Sequence, residues 1–411
     1  MNQNMENVAK EKCAAAGQSH LFLYENELTA DEKAALYQQI AEADFSVLPS
    51  FATRNDHVQK GKIEPIEVMR VAEIEDKNDE LTAAGTKVIR EGRVAAVLLA
   101  GGMGTRLGSD NPKGMYDIGI TKPMYIFERI ISNLTDVVKA TGVWIHLFVM
   151  TSEKNHEATV NFLTEKSFFG YNPNYVTFFK QSMAPAVDPD GKIFMEAKNR
   201  LATSPNGNGG WFQSMLQAGL LEMLRQEGIE WLNVFAVDNV LQRIADPAFV
   251  GATVGGGYVC GAKVIKKCDP DEKVGAMCLE DGRPSIIEYI DFTDEYKAIK
   301  DENGECAINY GVILNYLFSV AELIRIAEAS IPVHVVNKKI PHIDESGALV
   351  KPETPNGFKF ETLVVDMIHL MQNCLPYEVV REKEFAPIKN PTGVDSVESA
   401  RALLEKNGIT Q

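Results

Sequence analysis

With 411 residues the chain can hold two or three domains, or one large α/β domain with appendages, and 45% apolar against 24% charged side chains is the balance of an ordinary globule. The formal charge of −16 argues against nucleic acid or an anionic membrane surface as partners, and it requires any anionic ligand to be held by local cations. No apolar run approaches the ~18 residues that span a bilayer, Glu6, Lys10, Glu11 and Lys12 leave no signal-peptide core, and six scattered cysteines without a C-x-x-C pair read as reduced thiols of a cytoplasmic protein with no zinc site.

Residues 1–91 are expected to form a mostly helical N-terminal cap. Thr29 to Glu32 is a capping-box pattern with Leu28 as its staple residue. Ala34, Ala35, Leu36, Ile40 and Ala41 then recur at helical spacing. Pro49 and Ile63-Glu64-Pro65 break the pattern, and a second helix is predicted over Asp79–Ile89.

From about residue 92 to 385, strands and helices alternate, which predicts a doubly wound, mostly parallel α/β sheet. Val94–Leu99 is an unbroken apolar run of strand length, the pattern of a central strand covered on both faces. It runs into Ala100-Gly101-Gly102-Met103-Gly104-Thr105-Arg106-Leu107-Gly108, closed by Pro112-Lys113-Gly114. Glycines let backbone N–H groups approach a ligand, and Arg106 and Lys113 put cations beside them, so the loop reads as a polyphosphate seat. It is not the dinucleotide fingerprint, which needs glycine where Leu107 stands, and the chain has no Gly-Lys-Ser/Thr of a Walker A loop.

Val143–Met150 is a second predicted strand, with His146 read as a core histidine, followed by a helix over Glu157–Thr164. Val176–Lys180 is a short strand running into Gln181, and Trp231–Val237 a third apolar strand ending at Asp238-Asn239. Ligands of open α/β sheets gather at the carboxyl ends of strands, where the glycine loop, Gln181 and Asp238 are all expected. Residues 255–318 read as a β-rich excursion opened by Gly255-Gly256-Gly257, with a hairpin turn at Glu280-Asp281-Gly282. A helix over Glu322–Ala329, a strand over Val333–Lys338 and an amphipathic helix over Phe358–Met371 follow, and a short C-terminal segment, 386–411, retains one helix near Val397–Lys406.

The run L-A-G-G-x-G-T-R-L-G followed by P-K-G resembles the nucleotide loop of the UDP-sugar pyrophosphorylases, most closely the eukaryotic-type UDP-N-acetylhexosamine enzymes. Further matching motifs follow in order: Gln181-Ser182-Met183, Asp190-Gly191-Lys192, Pro205-Asn206-Gly207-Asn208-Gly209-Gly210, Val237-Asp238-Asn239, Lys339-Ile340-Pro341, Lys351-Pro352, Pro355-Asn356-Gly357 and Glu384–Asn390. The likeness spans about 90 to 395 with the spacing kept. It implies a Rossmann-like nucleotide-diphospho-sugar transferase domain over 92–385, and a C-terminus shorter than that of larger members.

The resemblance also implies a reaction, UTP plus N-acetylglucosamine 1-phosphate giving UDP-N-acetylglucosamine and pyrophosphate with Mg²⁺ or Mn²⁺, in a monomer or weak homodimer. The sugar-phosphate oxygen is already anionic, so no general base is needed and catalysis rests on positioning and charge neutralisation. The residue roles come with the resemblance. Leu99, Ala100, Gly101 and Gly102 would approach the uridine and its phosphates, with Gln181 and Gly207 on the uracil edge. Arg106 and Lys113 would bind the leaving pyrophosphate and Lys389 the α-phosphate, while Asn208, Gly275, Glu288 and Asn309 would hold the sugar and Asp238 the metal.

The chain departs from the family pattern at Val312, where asparagine is usual, at Asn206 in place of aspartate and at Ser182 in place of glycine. Val312 bears on the choice among GlcNAc, GalNAc, glucose and galactose phosphates, because valine offers the sugar no hydrogen bond. A catalytically silent UDP-sugar-binding protein is the alternative of another class; the presence of Arg106, Lys113, Asp238 and Lys389 argues against it.

Overall fold

All six residues of the apolar run Val94–Leu99 are buried in a strand, as the absence of polar alternation predicts. That strand lies inside a ten-stranded sheet in the computed structural model, which describes residues 3–54, 60–329 and 331–410. Numbered along the chain, the strands are β1 (Ile63–Glu64), β2 (Val94–Leu99), β3 (Leu147–Thr151), β4 (Val176–Lys180), β5 (Trp231–Ala236), β6 (Cys260–Lys266), β7 (Ala276–Glu280), β8 (Arg283–Ile287), β9 (Tyr310–Ser319) and β10 (Leu375–Glu378). Their order is β1-β7-β9-β5-β2-β3-β4, with β6 pairing β9 and β10, and β8 pairing β7.

The strands β5, β2, β3 and β4 are parallel neighbours, whereas β9 runs antiparallel to β5 and leads into the excursion of β7 and β8. From β2 the chain proceeds outward to β3 and β4, then returns to the other side of β2 with β5. The reversal puts a topological switch point between β2 and β5, the place where an open α/β sheet leaves a crevice at its carboxyl edge. β7 and β8 are joined by Asp281 and Gly282, both at positive φ (50° and 76°), the two-residue hairpin expected there.

Two compact units divide the chain: Met1–Val58 with Gln181–Gly210 and Ile331–Val364, and Gln59–Lys180 with Trp211–Ser330 and Val365–Gln411. The sequence reading as three consecutive segments (1–91, 92–385, 386–411) therefore needs revision. The helix Asn78–Arg90, expected in the cap, buries Val88 and Ile89 in the core that also holds Val94, Ala96 and Leu98, so it belongs with the sheet. The helix Ala30–Glu42 instead buries Leu36, Tyr37 and Ile40 with Val187, Ile193, Leu201 and Phe360, which draws two later segments into the smaller unit. Its start carries the capping box between Thr29 and Glu32.

Three further expectations are corrected. Phe358–Met371 is not one helix: Gly357–Glu361 is a strand paired antiparallel with His334–Lys338, and the helix covers only Val364–Leu370. In the strand, Phe358 and Phe360 both pack on the core around Val187 and Leu201, two residues apart as on one face of a strand, and the longer helical pattern overlaid this. The second predicted strand begins at Leu147 rather than Val143, and Gly255-Gly256-Gly257 ends the helix Pro247–Gly255 rather than opening a strand, which starts at Cys260. The final helix, Val397–Lys406, lies where predicted.

Candidate active site

Beyond β2 the backbone turns its carbonyl groups inward. Leu99 O accepts from Val237 N (3.2 Å) just beyond β5, and the buried Asn155 donates its amide to Ala100 O (2.9 Å) and Gly102 O (3.3 Å). Gly102 O also accepts from Lys113 N (3.1 Å), and Gly104 N donates to Asn111 O (2.8 Å), which closes the loop on itself. With the carbonyls committed, the amide N–H groups of Gly101 and Gly102 have no acceptor among the described residues. Exposed N–H groups beside sequestered carbonyls make a local positive concavity. Gly114 fixes the far side of the loop, because a Cβ there would lie 2.3 Å from the Phe127 ring.

Lys113 Nζ lies 3.6 Å from Asp238 Oδ2, so the glycine loop and the end of β5 meet through an ion pair. Burial pushes the Lys113 ammonium below the ordinary lysine value of 10.5; Asp238 opposes this, and the nearby charges of Arg106 and Lys389 add to it. Three cations thus share one neighbourhood with Asp238. Arg106 is exposed and has no polar partner among the described residues, whereas Lys389 Nζ is held by Asp395 (2.9 Å). The segment carrying Lys389 is tied to the same corner: Ile388 N donates to Asp238 O (2.9 Å), Asn239 Nδ2 to Glu384 O (2.8 Å) and Ala386 N to Asn239 Oδ1 (2.9 Å). Counting Arg106, Lys113 and Lys389 against Asp238 and Asp395 leaves a local excess of one positive charge in a chain that is strongly negative overall. That excess suits a polyphosphate.

The excursion brings together two of the residues expected at the sugar. Continuing the registers Ala276–Ile287 and Ala276–Gly311 by one step sets Gly275 opposite both Glu288 and Val312. A Cβ on Gly275 would come within 3.2 Å of Glu288 Oε1 and 3.6 Å of Val312 Cγ2, and Val312 N donates to Gly275 O (2.9 Å). Asn309, three residues earlier on the chain, lies off this row. It lines a separate cavity of about 500 Å³ with Arg70, Asp301 and Tyr310.

Within the smaller unit, Gln181 is buried and its Nε2 donates to Gly207 O (2.6 Å), which fixes the plane of the amide. Gly207 has φ 89°, and a Cβ there would strike Thr362 O at 2.1 Å, so this loop needs glycine for its own packing. Asn208 Oδ1 accepts from Val364 N (3.0 Å), and Asn206, buried, has an Oδ1 without a hydrogen-bond partner among the described residues. His146 is a buried residue bonded to Thr177 Oγ1 (2.9 Å) at the amino end of β3, the opposite edge from the glycine loop.

Sequence reasoning missed Asn155, Asp395 and the buried carboxylate of Glu384. Asn155 stands five residues past a predicted strand end, which is the one local signal it gives. Asp238 is a lone carboxylate: among the described residues no three His, Cys, Asp or Glu side chains gather to hold a metal. A single carboxylate fits Mg²⁺, which keeps several waters and takes its other ligands from substrate phosphates.

The profile of the UTP–glucose-1-phosphate uridylyltransferase family matches residues 44–410. The human UDP-N-acetylhexosamine pyrophosphorylase-like protein 1 is 35% identical, over 95% of this chain and 82% of its own length. The UDP-N-acetylglucosamine pyrophosphorylase of Saccharomyces cerevisiae is 37% identical, over 81% and 72%. Among solved structures, the uridine diphosphate N-acetylglucosamine pyrophosphorylase of Trypanosoma brucei in complex with inhibitor superposes with a TM-score of 0.83 at 28% identity, covering 97% of this chain and 84% of that one. The chain belongs to the UTP–glucose-1-phosphate uridylyltransferase family.

Proposed function

We propose that this protein transfers the uridylyl group of UTP to N-acetylglucosamine 1-phosphate, forming UDP-N-acetylglucosamine and pyrophosphate. The observation that carries the reading is the meeting of Lys113, Arg106, Lys389 and Asp238 at the switch point, beside the open N–H groups of Gly101 and Gly102. The names of the relatives supply the sugar.

In this reaction an anionic oxygen of the sugar phosphate forms a bond to the α-phosphorus of UTP as the bond to the β-phosphate oxygen breaks, and pyrophosphate leaves with the electron pair. No proton need move, so the task is to hold two anions together and to neutralise the leaving group. The glycine-loop N–H groups and Lys113 receive the triphosphate, and Arg106, exposed and unpartnered among the described residues, closes on the β- and γ-phosphates. Lys389 faces the charge that builds at the α-phosphorus. Asp238 is the residue that would hold Mg²⁺, which when bound adds positive charge at the phosphate oxygens. Gln181, its amide fixed by Gly207, is the residue that the resemblance assigns to the uracil edge, and within the larger unit Gly275 and Glu288 are those it assigns to the sugar.

The test is pyrophosphate release from UTP and Mg²⁺ with N-acetylglucosamine, N-acetylgalactosamine and glucose 1-phosphates in parallel. Fastest release with the first is expected. Release with none of them, although UTP binds, would overturn the reading in favour of a UDP-sugar-binding protein.

A further inference from the structure

Asp395 adopts φ 52°, a left-handed conformation that glycine would take more easily, as Gly393 does at φ 82° two residues earlier. The backbone here is cinched: Asp395 O accepts from both Lys389 N (2.6 Å) and Asn390 N (3.0 Å), and Asn390 Nδ2 donates to Val394 O (3.1 Å). Val397 N returns to Asn390 O (3.0 Å), and Ser396 caps the helix Val397–Lys406 through Ser399 N (3.0 Å). None of these bonds uses the Asp395 side chain. Its carboxylate has one partner among the described residues, the ammonium of Lys389 at 2.9 Å.

A glycine would therefore serve the loop better, and what the aspartate adds is a fixed negative charge on Lys389. We infer that Asp395 is a positioning residue: it holds the Lys389 ammonium, within a loop closed at its neck, at the place where charge develops during phosphoryl transfer. The role of Lys389 in that sentence rests on the uridylyl-transfer reading above. Lys389 without this partner would swing on a flexible four-carbon stem. Displacement of a reacting group by an ångström costs about 10- to 100-fold in rate.

Two variants separate this role from a structural one. Asp395→Asn keeps the backbone acceptor and tolerates positive φ, and Asp395→Gly relieves the strain altogether. Both are expected to melt at or above the wild-type temperature, with kcat down by about 10- to 100-fold and KM for UTP within about threefold. A merely structural role predicts full turnover in Asp395→Gly, and unchanged kcat in either variant overturns the inference. A second reading does not depend on turnover. In lysine-¹⁵N-labelled protein the Lys389 ammonium signal, identified by its loss in Lys389→Arg, is expected in the wild type and absent in Asp395→Asn. If the signal persists unchanged the inference fails. No pyrophosphate from the wild type with any sugar phosphate, alongside a signal that depends on Asp395, defeats the reaction and leaves the positioning contact standing.

Discussion

Lys113 and Lys263 belong to the same unit and are treated in opposite ways. Lys263 is fully buried and fully answered: its ammonium meets Glu384 Oε2 (2.6 Å), Asp246 Oδ2 (3.2 Å) and Arg243 O (3.2 Å). Burial alone would raise the Asp246 carboxyl, but Lys263 and Arg243 outweigh it and hold it low. Lys113 has one carboxylate at the longer distance of 3.6 Å and two further cations facing it. The first network is closed and can only hold structure together. The second is short of negative charge, which is the state of a site awaiting an anion. They are also joined, because Glu384 accepts from Lys263 with its side chain and from Asn239 with its carbonyl, so the closed network anchors the corner that carries Asp238 and Lys389.

The comparison breaks most visibly at Lys263. Lys263→Met removes the cation shared by two buried carboxylates, of which Asp246 keeps Arg243 (3.1 Å), and is expected to cost about 3–5 kcal/mol in urea unfolding. A loss below about 1 kcal/mol would show that water reaches the network.

At Lys113 the expected effect lies in rate and pH. Since its ammonium sits below 10.5, kcat/KM for UTP should fall on the alkaline side as Lys113 loses its proton, at a lower pH than an ordinary lysine would dictate. Lys113→Arg stays protonated and should remove that limb from the pH profile; a limb unchanged in the variant would assign it to another group. Gly102→Ala probes the N–H seat itself. A Cβ there meets nothing within 4 Å, so the melting temperature should hold while UTP binds about tenfold more weakly in calorimetry. Unaltered UTP binding would remove Gly102 from the seat.

The smallest effect is expected beside Gly275. Val312→Asn restores a hydrogen-bonding side chain 3.6 Å from a Cβ position on Gly275 and should lower KM for N-acetylglucosamine 1-phosphate about fivefold. A change confined to kcat would mean that position 312 does not touch the sugar in the ground state.

The parts legible in the sequence were those with local causes. An unbroken apolar hexapeptide fits a buried strand, the Thr29–Glu32 box names its own helix start, and Asp281-Gly282 its own turn. Lys113 and Asp238 could be placed at strand ends because β2 and β5 were recognisable, and the sheet then makes them neighbours. What could not be read depends on distant partners. Asn155 matters because of the carbonyls it collects 53 and 55 residues away, and Glu384 because of a lysine 121 residues earlier. Phe358–Met371 carries a helical spacing, but Phe360 is claimed by the core around Val187 and Leu201, and that claim overrides the local pattern. The resemblance puts Gly207 on the uracil edge; that the backbone at Thr362 and Leu363 also requires glycine at 207 and 209 is a demand from distant residues that the sequence does not show.

The central claim is that Arg106 and Lys113 serve the departing pyrophosphate rather than the retained UDP-sugar. Lys113→Ala tests it most directly, with pyrophosphate formation and UDP-N-acetylglucosamine affinity measured on the same preparation. The account predicts turnover lower by about 10³-fold with affinity for the UDP-sugar within about threefold of wild type. Equal losses in both would contradict it, and would make Lys113 a binding residue for the part of the nucleotide that stays behind.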